Sequence, residues 1–187
     1  MIKIGLLGNI ASGKSQVEKI FSDLNIKTID LDTVSHNLYE KDAALQKEVL
    51  KAFSTLDRKK IANIVFSKEE KKKELEDIFF PRLRKYILDF FEENKKEKIS
   101  VVSGALLYEA KFFDLFDKTL YIDAPYETRL SRLIKRNSIE EKEAKKRLDC
   151  QKDTKEYANY VINNDKSLEE LKKEVLKFLN SLDVMKF

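Results

Sequence analysis

Short apolar runs alternate along the whole chain with stretches in which apolar residues recur every three or four positions. Ile2-Lys3-Ile4-Gly5-Leu6-Leu7 predicts a buried strand, and the spacing of Val17, Ile20, Phe21 and Leu24 predicts a helix soon after it. Residues 26–30, 99–103, 119–123 and 160–162 read as four further strands. Between the second and third lies a helical stretch over about 33–97 with no glycine. Pro81 is expected to mark a helix boundary there, because proline lacks the N–H and crowds the preceding turn. Pro125 opens a helix at a position where the missing N–H costs nothing, and helices fill about 126–137 and 139–151. Residues 167–182 form a closing amphipathic helix with the stripe Leu168, Leu171, Val175, Leu179 and Leu182. Strands alternating with helices predict an α/β fold, a five-stranded parallel sheet with helices on both faces and ligands at the carboxyl ends of the strands.

The junction between the first strand and the first helix carries chemistry. Gly8-Asn9-Ile10-Ala11-Ser12-Gly13-Lys14-Ser15 matches the phosphate-cradling pattern G-x-x-x-x-G-K-[ST] in the strand–loop–helix setting that the pattern needs. Gly8 and Gly13 let the backbone curl so that successive N–H groups face phosphate oxygens, and the positive end of the helix adds to the attraction. Lys14 is expected to reach the β- and γ-phosphates of a nucleoside triphosphate, and the Ser15 hydroxyl to ligate Mg²⁺.

Composition narrows the class. With 187 residues, 42% apolar and 37% charged, the chain is expected to form one α/β core with small appended subdomains. No apolar run approaches the length of a membrane span, so no membrane partner is expected, and the N-terminus reads as a strand rather than a signal peptide. Cys150 is the single cysteine, which suits a reducing cytoplasm and excludes a Cys/His zinc cluster. The net charge of +4 is unevenly spread: residues 41–98 and 125–155 are each basic, while the remainder is acidic. Basic helical segments suit closure over polyphosphate; a nucleic-acid surface is the alternative.

Two acids, Asp30 and Asp32, leave the second strand at the loop's edge of the sheet. A kinase needs a carboxylate there to accept a hydroxyl proton or help hold magnesium, and Asp32 is the better placed; a helix N-cap is the competing role. Arg129, Arg132 and Arg136 form one helical stripe, with Arg147 on the next helix, and such arginines neutralise charge on a transferred phosphoryl group. Arg136 and Arg147 are the preferred ligands, ahead of Arg129 and Arg132. No D-x-x-G or N-K-x-D element accompanies the loop, which excludes a GTPase switch. Size and the arginine-bearing segment favour a small-molecule kinase.

These motifs, in order, resemble the dephospho-CoA kinase family over nearly the whole chain. The loop is similar to that family's G-G-I-G-S-G-K-S, and Ile29-Asp30-Leu31-Asp32 to its I-D-A-D. Asp57-Arg58-Lys59-Lys60-Ile61 through Val65-Phe66-Ser67 resembles D-R-x-x-L…V-F-S, and Ala105-Leu106-Leu107-Tyr108-Glu109 resembles P-L-L-x-E. Arg129-Leu130, Arg136, Arg147 and Gln151 follow its lid pattern, and 158–164 resembles A-D-x-V-I-x-N near the adenine end of ATP. Asn9 stands in place of the loop's second glycine, Phe80 in place of the histidine of a His-Pro pair, and Ala105 in place of a proline. The segment before Asp57 is also shortened.

The resemblance implies a P-loop kinase fold with a core of about 1–32, 98–124 and 157–187, a helical substrate-binding insert of about 33–97 and a helical lid of about 125–156. It implies transfer of the ATP γ-phosphate to the ribose 3′-hydroxyl of dephospho-CoA. Asp32, Lys14 and Arg136 would be catalytic. Gly8, Asn9, Ile10, Ala11, Ser12, Gly13, Lys14, Ser15, Gln16, Arg136, Arg147 and Asn164 would bind ATP, with Ser15 on Mg²⁺. Asp32, His36, Arg58, Leu106 and Glu109 would bind the acceptor. A monomer or weak homo-oligomer acting without nucleic acid is expected. The alternatives are another small-molecule or nucleotide kinase on the same scaffold, or a non-catalytic nucleotide-dependent nucleic-acid-binding module.

Overall fold

The structure is a computed structural model that describes residues 1–182; the last five residues of the expected core segment 157–187 lie outside the described residues. The chain runs β1 (Ile2–Gly8), α1 (Lys14–Asp23), β2 (Lys27–Asp30), α2 (Leu31–Lys41), α3 (Ala43–Phe53), α4 (Arg58–Ser67), α5 (Glu69–Glu93), β3 (Ile99–Ser103) and α6 (Leu106–Glu109). After a 3₁₀ turn (Phe112–Leu115) follow β4 (Lys118–Asp123), α7 (Tyr126–Asn137), α8 (Glu141–Asp149), a second 3₁₀ turn (Lys155–Tyr157), β5 (Tyr160–Asn163) and α9 (Leu168–Asn180). Two compact units result: Met1–Ile29 with the chain from Asn94 onward, and Asp30–Glu93.

The first unit is built on the expected five-stranded parallel sheet, in the order β2-β3-β1-β4-β5. β1 is central, with Leu6 beside Ser103 of β3 and Gly8 beside Ile122 of β4. The alternation of side chains along each strand sends Ile4, Leu6, Val101, Leu120 and Ile122 to one face. There they are buried with Val17, Ile20 and Phe21 of α1 and Leu171, Val175, Phe178 and Leu179 of α9. Each such aliphatic side chain stabilises by about 1.5–3 kcal/mol relative to exposure. Leu168 departs from the expected stripe: at 58% exposure it sits in the first turn of α9, and Phe178 takes the core place. On the opposite side of β1, Gly5 leaves room for the Phe116 ring, whose Cδ2 would stand 3.1 Å from an added Cβ.

The second unit shows how a stretch without glycine is punctuated. Aspartates start α2, α3 and α4: Asp30 accepts from Thr33 N at 2.7 Å, Asp42 from Leu45 N at 3.0 Å, and Asp57 from Lys59 N at 2.8 Å. Ser54 takes the left-handed conformation that ends α3. Leu45, Val49, Phe53 and Ile61 form the core, with Leu38, Tyr39, Ile78 and Phe79 packed around them.

Pro81 does not bound a helix. It lies inside α5, on an exposed face, while Leu83, Ile87 and Phe91 are buried further along the same helix. Solvent reaches the turn where a carbonyl loses its partner, and Arg82 Nη1 donates to the Ile78 carbonyl at 2.7 Å in the same turn. Packing of both halves outweighs the local cost. Among the described residues no helix is long and apolar enough to cross a membrane.

Candidate active site

The loop between β1 and α1 is held from beneath. Asn164, buried just beyond β5, donates its side-chain Nδ2 to the Ser12 carbonyl at 2.7 Å, and its own backbone N–H donates to Asp123 O at 2.7 Å. Arg132 of α7 reaches the same place, with Nη1 3.4 Å from Ser12 O and Nη2 3.1 Å from Asn164 O. A trans peptide points its C=O and N–H in opposite directions, so fixing the Ser12 carbonyl turns the Gly13 N–H the other way. Gly13 has φ 103°, and an added Cβ would meet Asn164 Nδ2 at 2.0 Å. Gly8 is required by crowding: its Cβ would stand 2.7 Å from Ser12 Oγ and 2.9 Å from Ile122 O. The Ser12 hydroxyl is buried with no hydrogen-bond partner.

The left-handed non-glycine residue of the loop is Ala11, at φ 61°, and not Asn9. Ala11 also stands where the family pattern quoted above has a glycine, so it, and not Asn9, is the substitution that carries backbone strain. Its side chain and that of Ile10 pack against Leu130 and Leu133 of α7 and Ala144 and Leu148 of α8. The Ile10 N–H donates to Gln151 Oε1 at 2.6 Å.

At the start of α1 the Gln16 and Val17 N–H groups both donate to the Gly13 carbonyl, at 2.9 and 3.3 Å, and the N-cap Gly13 supplies no side chain to the turn. Lys14 Nζ lies 2.7 Å from Glu18 Oε1, one turn along the helix, and 3.5 Å from Ser103 Oγ. Ser103 Oγ donates in turn to Glu18 Oε1 at 2.5 Å. Ser15 and Gln16 are exposed in the first turn. The donors gathered here are oxygens, from the hydroxyl of Ser15 and the carboxylate of Glu18, a set that suits a hard cation completed by phosphate oxygens. Among the described residues no cluster of three or more His, Cys, Asp or Glu side chains forms a metal site without such a ligand.

The structure separates the four arginines. Arg132 is at the loop; Arg129 donates from Nε to Ala124 O at 3.1 Å and lies over the Tyr126 ring. Arg136 is exposed and donates to Asn137, and Arg147 pairs with Glu143 at 2.5 Å. The two arginines preferred from spacing therefore stand at the surface of α7 and α8, and the one ranked behind them reaches the loop backbone. An open groove of about 390 Å³ between α7 and α8, lined by Leu130, Ile134 and Glu141, contains none of the loop residues. Leu106 and Glu109 form the short α6 just past the end of β3, Leu106 partly buried and Glu109 exposed.

In the second unit, Asp30 takes the capping role of α2, which leaves Asp32 in that helix's first turn without it. His36 and Arg58 meet: an Arg58 Nη1 N–H donates to His36 Nδ1, and His36 Nε2 lies 3.0 Å from Glu40 Oε1. That pattern fits the tautomer protonated at Nε2. Arg58 also lies over the Tyr39 ring, 5.6 Å from its centroid. Glu18, Ser103 and Arg132 are the site residues that spacing underrated. The signal for Glu18 was the i,i+4 relation to Lys14 on one helix face.

A phosphate loop opening a helix at the centre of a parallel sheet, with an arginine-bearing helical pair beside it, defines a P-loop kinase. The dephospho-CoA kinase family model matches residues 2–170. A dephospho-CoA kinase of Aquifex aeolicus is 36% identical, over 97% of this chain and 98% of that protein. Among solved structures, TT1252 from Thermus thermophilus superposes with a TM-score of 0.77 at 30% identity, covering 97% of both chains. The dephospho-CoA kinase from Campylobacter jejuni gives 0.68 at 29%, covering 96% of each. The chain belongs to the dephospho-CoA kinase family.

Proposed function

We propose that the chain transfers the γ-phosphoryl group of ATP to the ribose 3′-hydroxyl of dephospho-CoA, giving coenzyme A and ADP. Family membership supports the reaction, and the loop geometry supports the donor site: a Ser12 carbonyl drawn out by Asn164 and Arg132, with the Gly13 N–H turned to receive phosphate.

In this reading Lys14 leaves Glu18 for the β- and γ-phosphate oxygens, and the first-turn N–H groups of α1 hold the β-phosphate. Ser15 would hold Mg²⁺, which when bound neutralises phosphate charge and fixes the triphosphate conformation. Asp32 accepts the proton of the 3′-hydroxyl as its oxygen bonds to the γ-phosphorus. The β–γ bridging P–O bond breaks, and its electron pair leaves with ADP. Arg136 and Arg147 serve the lid, releasing Asn137 and Glu143 to meet phosphate and exclude water. His36 and Arg58, already joined, offer one cationic corner to the acceptor's own phosphate groups, with Leu106 and Glu109 as further acceptor contacts. A cytoplasmic setting suits the free, exposed Cys150.

The test is ADP release with and without dephospho-CoA. Release that depends on dephospho-CoA, with coenzyme A as product, is the expected result; release indifferent to it, or driven by another alcohol instead, overturns the proposal.

A further inference from the structure

The ends of the central strands lack a carboxylate free to face the phosphates. β3 closes on Ser103-Gly104-Ala105, with no acid, and the acid that ends β4, Asp123, is engaged by Lys155 Nζ at 2.7 Å. P-loop enzymes commonly place an acid at a strand end, where it orients the cation that bridges the phosphates. Here a carboxylate reaches the end of β3 from a different element. Glu18 of α1 accepts from Ser103 Oγ at 2.5 Å, and only 21% of its side-chain surface is exposed.

Its charge balance depends on what is bound. Without nucleotide, Lys14 at 2.7 Å compensates Glu18. In the reaction proposed above, on which this inference rests, Lys14 turns to the triphosphate. Glu18 then stays docked on Ser103 with its negative charge facing a polyanion. A partly buried carboxylate in that place is repelled strongly unless a cation stands between. Ser15 lies three residues before it, one turn away on the same helix face.

We infer that Glu18, held by Ser103, is the positioning carboxylate for the divalent cation of this enzyme. It accepts hydrogen bonds from the cation's water shell in place of a strand-end acid. A magnesium ion that keeps several waters and takes only one or two protein oxygens directly is suited to such an arrangement.

The experiment measures dissociation constants for ADP and for the non-hydrolysable β,γ-imido analogue of ATP, with Mg²⁺ and with chelator, by calorimetry. The Mn²⁺ affinity of each protein–nucleotide complex is read by electron paramagnetic resonance. In Glu18→Gln, metal-free nucleotide affinity is expected to hold or tighten, since Lys14 loses its competitor, while the enhancement by Mg²⁺ and the Mn²⁺ affinity fall by about 10–100-fold. The double variant E18Q/S103D, with an acid restored at the strand end, is expected to recover at least half of the lost metal enhancement on a logarithmic scale. An unchanged Mg²⁺ enhancement in E18Q shows that Glu18 only parks Lys14 and overturns the inference, as does a loss that S103D leaves uncorrected in a folded double variant. A wild-type protein that binds neither nucleotide sinks the kinase reading itself, and is thereby told apart from a failure at Glu18.

Discussion

Asn164 and Ser12, 152 residues apart in sequence, are joined by a hydrogen bond of 2.7 Å from a buried side-chain amide to a loop carbonyl. The amide orients a peptide and need not touch the nucleotide to matter. Replacing Asn164 by Ala leaves the Ser12 carbonyl with Arg132 alone, at 3.4 Å. The loss of a buried hydrogen bond costs about 1–3 kcal/mol, so ATP affinity should fall by roughly 5–150-fold. Calorimetry with nucleotide measures it, and unaltered affinity in a folded variant would contradict the positioning role.

Ala11 offers a test of loop strain. At φ 61°, Ala11→Gly exchanges relief of left-handed strain against added freedom of the unfolded chain, so its melting temperature should stay within about 2 °C of wild type. Ala11→Val puts a β-branched side chain in the same conformation and should lower the melting temperature by about 4–8 °C. Thermal denaturation of the pair decides: equal effects would remove backbone strain as the cause.

Two acids two residues apart should fail in different ways. Asp30 caps α2 through the Thr33 N–H, so Asp30→Ala should cost about 1 kcal/mol of stability. Asp32→Asn should lower kcat by about 10²–10⁴-fold while ATP affinity and melting temperature remain near wild type. Steady-state kinetics beside thermal denaturation separates them; near-normal kcat in Asp32→Asn excludes it as the proton acceptor.

The helical unit should weaken in acid. The Arg82 guanidinium, hydrogen-bonded to Glu48 at 2.7 Å, holds that carboxyl below its ordinary value of 4.5 and is itself raised by the partnership. A depressed carboxylate contributes stability above its unfolded pKa and loses it as pH falls through the folded one. The melting-temperature gap between wild type and Glu48→Gln should therefore be constant near neutrality and close below 4.5. A gap of unchanged size in strong acid would show that packing, not charge, links the two residues.

The strands were legible because short apolar runs flanked by polar residues leave little else for a chain of this composition to form. The phosphate loop was legible because its spacing is set by the geometry of phosphate. What misled was local. Pro81 reads as a boundary until the burial of Leu83, Ile87 and Phe91 along the same helix outweighs a lost hydrogen bond at its exposed face. Arg132 and Arg136 sit four apart on one helix, and spacing alone favours Arg136 as the phosphate ligand. Only the position of Asn164, 32 residues beyond Arg132 and brought in by β5, shows which one meets the loop backbone. Glu18 resembles any surface partner of a lysine until β3 arrives beside it, and the sequence shows neither residue's neighbour across the sheet edge.

The seating of Ile10 and Ala11 on Leu130, Leu133, Ala144 and Leu148, with the Ile10 amide closed by Gln151, makes the glycine loop part of the footing of the two helices above it. Such a unit unfolds locally as one body, so protection of loop, α7 and α8 amides from hydrogen exchange should rise and fall together. In the proposed reaction, departure of ADP then becomes a cooperative event of the loop and the helix pair together rather than the swing of a free arm. Its rate should steepen with temperature as a melting step does.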